Sequence, residues 1–176
     1  MKNISTSFKY NERDARLISI IMTTQSGKKI EVFQELANQL SDYAYWFLLS
    51  TLWVKDSNYA PISVWKKLFS RKRRNKAISL MKPDELTAFK NLPSKFLAYR
   101  THSKNENDWI SYTLDLKTAI EFAGMKKVNE VVEYKIKKHD CLALFLRRGE
   151  TEIICLDKTL AKKKRVILIN EERLEG

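Results

Sequence analysis

The sequence predicts an α+β fold, with helices in the first half and a sheet in the second. Two observations carry this. From Glu31 to about residue 92 the apolar residues recur at three- and four-residue steps, the period of an amphipathic helix. Beyond Pro93 they gather into six short β-rich runs, each bounded by polar or charged residues. The composition, 44% hydrophobic and 31% charged over 176 residues, is that of a folded globular chain and is too apolar for a disordered one. The length suits a single domain, mainly helical and basic over 1–94 and β-rich over 95–170.

Taken in order, Phe33, Leu36, Leu40, Tyr43, Phe47 and Leu52 set one helix from Glu31 to Leu52. "APISVWKKLFSRKRRNKAISLM" reads as a second helix, with Ile62, Trp65, Leu68 and Phe69 inward and "RKRRNK" on its outer face. "KPDELTAFKNLP" reads as a short helix with proline in its first turn, acids near its positive end and a terminating proline. The β-rich runs are "KFLAYRT", "WISYTLD", "EVVEYKI", "LALFL", "EIICL" and "RVILI". One helix, "LKTAIEFAG", interrupts them, with Asp115 placed to cap it and Gly124 to close it.

The greasiest run, Tyr43 to Val54, is too short to span a bilayer, and the first residues lack the apolar core of a signal peptide. Cys141 and Cys155 stand among apolar residues without a CxxC or Cys/His pattern, so free buried thiols and a cytoplasmic location are expected, with no metal site. Only four glycines are present, too few and too scattered for a Walker loop or a GxGxxG turn.

Net charge is +12, which favours polyanionic partners. Between Pro61 and Lys90 nine basic residues stand against two acids, Asp84 and Glu85. Arg71, Lys72, Arg73, Arg74 and Lys76 are the candidate nucleic-acid contacts, with Lys162 to Arg165 as a further basic run. A solvated, solubilising helix face is the competing reading.

Three features of the β-rich half are suited to chemistry. Arg100 closes the run "KFLAYR", where a guanidinium at a strand mouth can hold a phosphate with two parallel hydrogen bonds. "SYT" places Ser111 and Thr113 on one strand face, with Asp115 and a helix just after. "RRGETEII" sets Glu150 and Glu152 two positions apart at the mouth of an apolar strand, where like charges on one face repel unless something uses them.

In this order, over residues 95 to 169, these features resemble the mono-ADP-ribosyltransferases of the arginine–serine–glutamate class: "YR", then "SYTLDLKTAIEFA", then "RRGETEII" with its ExE signature. The resemblance implies an ADP-ribosyltransferase-like fold with a mixed β-sheet, and NAD as co-substrate. It implies that Arg100 grips the phosphates, that Ser111 orients the site, that Glu152 is the catalytic glutamate and that Glu150 faces the acceptor. Thr113 and Tyr112 complete the cofactor-binding candidates, although Tyr112 alternates away from Ser111 and suits the core. Two departures stand out: Ser-Tyr-Thr replaces the common Ser-Thr-Ser, and Thr101 and His102 follow the arginine where relatives often have glycine.

Breaking the bond from ribose to the cationic nicotinamide builds positive charge on the sugar, and a fixed carboxylate such as Glu152 stabilises it. Glu150 is placed to position the incoming nucleophile or take its proton. Trp109, Tyr112 and Phe122 are candidates to stack on nicotinamide, with core packing favoured for the last two. His102 and His139 read as surface or hydrogen-bonded structural histidines.

The basic segment makes nucleic acid, RNA ahead of DNA, the expected acceptor, and a protein arginine the runner-up. By analogy with small intracellular transferases, a toxin or phage-defence role and an antitoxin or inhibitor protein as partner are expected. Two rivals remain. Glu133 and Lys135 match the ExK half of a metal-dependent PD-(D/E)xK nuclease, with Pro83 and Asp84 as its PD. A non-catalytic nucleic-acid-binding protein would use the basic segment alone.

Overall fold

The structure, a computed structural model, describes residues 3–169. Its contacts divide the chain into two compact units that meet in sequence at Thr87 and Ala88.

The first unit is helical. Helix α1 (Glu12–Thr23) was not expected; of its apolar residues Leu17 and Ile21 are buried. Asn11 starts it by accepting hydrogen bonds from the Arg13 and Asp14 amides. The single helix expected from Glu31 to Leu52 is two: α2 (Lys29–Leu36) and α3 (Asp42–Asp56), separated by a 3-10 turn, Ala37–Gln39. The break follows from local chemistry. Leu40 is extended, the Ser41 hydroxyl caps the new helix by accepting from the Ala44 amide at 3.2 Å, and the Ser41 amide donates to Asp14 at 2.9 Å. Helix α3 is buried nearly all round, through Tyr45, Trp46, Leu48, Leu49, Leu52 and Trp53, and is the hub of this unit.

The second expected helix is also two, α4 (Ile62–Phe69) and α5 (Lys76–Leu80), and "RKRRN" lies between them instead of on a helix face. Asn75, in the left-handed region at φ 56°, ends any helical continuation. Arg73 fixes the intervening segment: its guanidinium donates to the Ala37 and Leu40 carbonyls at 2.7 and 2.5 Å and to Asp42 at 2.8 Å. Helix α6 (Pro83–Asn91) forms as expected, proline first.

The second unit is built on one six-stranded sheet in the order β4-β5-β2-β1-β3-β6, where β1 is Lys95–Arg100, β2 Ser111–Thr113, β3 Glu130–Lys137, β4 Ala143–Phe145, β5 Glu152–Ile154 and β6 Lys162–Leu168. All five pairings are antiparallel, which corrects the mixed sheet expected from the resemblance. The reason is topological. Helix α7 (Leu116–Lys126) connects β2 to β3, two strands that run the same way, but β1 lies between them and pairs antiparallel with both.

Asp115 caps α7 as expected, accepting from the Lys117 and Thr118 amides. Gly124 does not close it. The helix runs on to Lys126, and Lys127 takes the left-handed closing position at φ 54°. One sheet face packs Ala98, Tyr112, Val132, Tyr134, Leu144 and Ile153 with Ala88 and Phe89 of α6. The other packs Tyr99 and Val131 under Ala119 and Ala123 of α7. Among the described residues no helix is long and apolar enough to cross a membrane.

Candidate active site

The sheet order places the three strands of the expected motif side by side, β5 next to β2 and β2 next to β1. Register and alternation then decide where each side chain goes. Thr113 pairs with Glu152, Ser111 with Ile154, and Tyr99 with Thr113. Directly paired residues share a face, so Ser111, Thr113 and Glu152 lie on the face of Tyr99. Arg100 follows Tyr99 and leaves its strand on the opposite face, with Ala98.

Arg100 nevertheless meets Ser111. Its Nη1 donates to the Ser111 carbonyl at 2.8 Å and to the Ser111 Oγ at 3.2 Å, because Ser111 opens β2 beside the point where β1 ends. Ser111 is thus the residue common to both halves: its hydroxyl touches the guanidinium and it sits on the sheet face that carries Glu152.

The rest of the Arg100 guanidinium is held by Glu106, with Nη2 at 2.6 Å from Oε1 and Nε at 3.2 Å from Oε2. His102 Nδ1 lies 2.7 Å from Glu106 Oε2, and its Nε2 lies 2.8 Å from the Tyr134 hydroxyl. The Lys126 ammonium stands 4.0 Å from Glu106 Oε1 and donates to the Thr101 carbonyl. Burial alone would raise the Glu106 carboxyl, but hydrogen bonds from His102 and Arg100 and the charges of Arg100 and Lys126 outweigh it and bring it down to about 2. Burial, helped by the Arg100 charge, lowers Lys126.

Trp109 forms a wall of this cluster. Its ring lies 4.3 Å from that of His102, with the Lys158 ammonium 4.6 Å and the Arg100 guanidinium 5.8 Å from its centre. Its indole N–H donates to the Tyr112 hydroxyl at 2.8 Å. Tyr112 is otherwise core, 5.2 Å from Tyr134 edge to face, and burial pushes its hydroxyl well above the usual range. The Thr113 hydroxyl accepts from the Asp115 amide at 3.1 Å and so serves the turn into α7.

Glu152 is the first residue of β5 and half-buried. Glu150 lies outside the ladder, as the extended residue that ends the turn Arg147–Gly149, so no strand pairing fixes it on the face of Glu152. That turn reverses the chain through two left-handed residues, Arg148 at φ 60° and Gly149 at φ 74°, which explains the glycine. The Arg147 guanidinium covers the Phe145 ring at 5.1 Å.

The basic segment is partly spent on its own unit. Besides Arg73, Lys76 donates to the Phe69 carbonyl at 2.8 Å and lies over Trp46, and Arg71 donates to Asn38 at 2.8 Å. Asn38, Arg71, Lys72 and Arg73 line a cavity of about 260 Å³. Lys72 and Arg74 are exposed.

Of the nuclease motif, Pro83 and Asp84 open α6, while Glu133 is buried in β3 and paired with Arg165 at 3.1 Å. No group of three His, Cys, Asp or Glu placed to hold a metal occurs among the described residues. His139 is exposed beside Asp140. The thiols of Cys141 and Cys155 are free and 2.9 Å apart.

Sequence reasoning missed Glu106, Lys126 and Lys158, whereas the hydrogen-bonded structural role expected of His102 is what its bonds to Glu106 and Tyr134 show. The only local signal was the His102/Glu106 spacing of four in the loop "THSKNEND".

Comparison of the chain with models of protein families, with curated proteins and with solved structures finds no match.

Proposed function

We propose that the protein is an NAD-dependent mono-ADP-ribosyltransferase that transfers ADP-ribose to RNA. One observation carries the reading: Ser111 is hydrogen-bonded to Arg100 on one neighbouring strand and shares a sheet face with Glu152 on the other. The arrangement of Arg100, His102 and Lys126 around a single carboxylate supports a site for an anion, which suits the diphosphate of NAD once Glu106 is displaced. Bound there, NAD supplies a ribosyl group whose bond to nicotinamide breaks.

Each side chain then has a task. Arg100 and Lys126 hold the diphosphate, Ser111 fixes the guanidinium, and Trp109 offers an aromatic surface beside it. Glu152 stabilises positive charge on the ribose, and Glu150 receives the acceptor. The +12 net charge favours a polyanionic acceptor, and RNA is the one proposed. A role as a toxin or phage-defence effector, with an inhibitor protein as partner, rests on the resemblance of the Arg100, Ser111 and Glu152 motifs.

The test is to mix the purified protein with NAD labelled in its adenylate part and with total RNA, DNA or cell extract. Label in RNA, lost in Glu152→Gln with an unchanged circular dichroism spectrum, is the expected result. Label in protein alone would overturn the RNA acceptor, and no label in any pool would overturn the transferase.

A further inference from the structure

On the Tyr99 face of the sheet, at the end away from Arg100, register collects four lysines. Lys95 of β1 pairs directly with Lys137 of β3, and Lys135 of β3 pairs directly with Lys162 of β6. Paired residues share a face, as do Lys135 and Lys137 two positions apart, so all four ammonium groups stand on one side of three adjacent strands. All four are exposed, with exposed Leu97, the partner of Lys135, in their midst.

Like charges set directly opposite one another in a sheet, about 5 Å apart at Cβ, destabilise it. Among the described residues none of the four makes an ion pair, and Glu133, which shares their strand face two positions from Lys135, is taken by Arg165. Protection of a sheet edge accounts for lysines on the outermost strand β6, but not for Lys135, which is paired on both sides, with Leu97 and with Lys162, nor for Lys95 and Lys137 being set directly against each other.

We infer that this face is a docking surface for the sugar–phosphate backbone of single-stranded RNA, which brings the acceptor to the protein. The partner's identity rests on the RNA-acceptor reading above, whereas the surface itself rests on the unrelieved charge. Opposed lysines about 5 Å apart across strands and about 7 Å apart along them form a compact patch that neutralises successive phosphates of one strand. With four ammonium groups around one exposed leucine, Leu97, the patch reads backbone and not sequence.

The test uses a fluorescent single-stranded RNA without NAD. The variant carrying Lys95→Gln, Lys135→Gln, Lys137→Gln and Lys162→Gln should bind it at least about tenfold more weakly, and the slope of log affinity against log salt should fall in magnitude by about 3, from about 0.7 for each lost phosphate contact. The exposed positions leave the fold intact: melting temperature should equal or exceed that of the parent, since the opposed charges are gone, and NAD cleavage in the absence of acceptor should match the parent. Glu152→Gln should bind RNA as the parent does, so a failed transferase reading leaves this result standing. Unchanged RNA affinity or salt slope in the fourfold variant would overturn the proposal. So would tighter binding of duplex DNA, polyglutamate or anionic vesicles than of RNA through the same four lysines.

Discussion

Arg100 and Glu106 face each other in a two-point ion pair, Nη2 to Oε1 at 2.6 Å and Nε to Oε2 at 3.2 Å, with both side chains less than one-fifth exposed. Any phosphate that uses this arginine must therefore displace a carboxylate already seated there. Replacing Glu106 with Gln removes the competing charge, so NAD should bind on the order of tenfold tighter, as one charge-assisted hydrogen bond is relieved. The same change should lower stability by about 1–3 kcal/mol, since Arg100 loses its partner. Titration calorimetry and urea unfolding measure the two effects.

The acid limb of stability carries the same pair. The Glu106 carboxyl moves from 4.5 to about 2 on folding, so below the higher value the unfolded chain binds a proton that the folded one does not. Its contribution is complete above about pH 5 and is lost as pH falls towards 2. Urea midpoints recorded across this window should decline with falling pH, and Glu106→Gln should flatten that part of the slope.

Arg100→Lys keeps the charge but loses the planar fork that reaches Ser111 and Glu106 together. Transfer of labelled ADP-ribose should fall on the order of a hundredfold, which is the scale of removing one well-placed charge stabiliser. An unchanged rate would remove Arg100 from the site.

Within the basic segment stability and binding should separate. Arg73→Ala strips donors from the Ala37 and Leu40 carbonyls and from Asp42, at a cost of about 2–3 kcal/mol in thermal or urea unfolding. Lys72→Ala and Arg74→Ala, at exposed positions, should stay within about 0.5 kcal/mol of the parent.

Cys155 is 1% exposed, and its hydrogen bond with Cys141 together with burial pushes its thiol well up. Iodoacetamide at pH 8 should spare Cys155 in the native protein and alkylate it in urea, as read by peptide mass spectrometry.

The sequence by itself determined the α+β order, the six strands with their approximate limits, the Asp115 cap and the proline start of α6, because these depend on side-chain alternation and on caps acting within a few residues. It also offered Arg100, Ser111 and Glu152 as candidate site residues. Periodicity overran the break at Leu40 and Ser41, where a capping hydroxyl and a carboxylate from Asp14, distant in sequence, end one helix and start another. It also put "RKRRN" on a helix, since nothing local says that Arg73 is bound to carbonyls more than thirty residues earlier.

Only the tertiary structure decided the rest. Strand order made Ser111 the neighbour of Arg100, alternation sent Arg100 and Glu152 from opposite faces, and register gathered Lys95, Lys135, Lys137 and Lys162 on one of them. The physical reason is the same in each case: pairing register and loop closure join residues far apart in the chain, and no local pattern encodes which strands become neighbours.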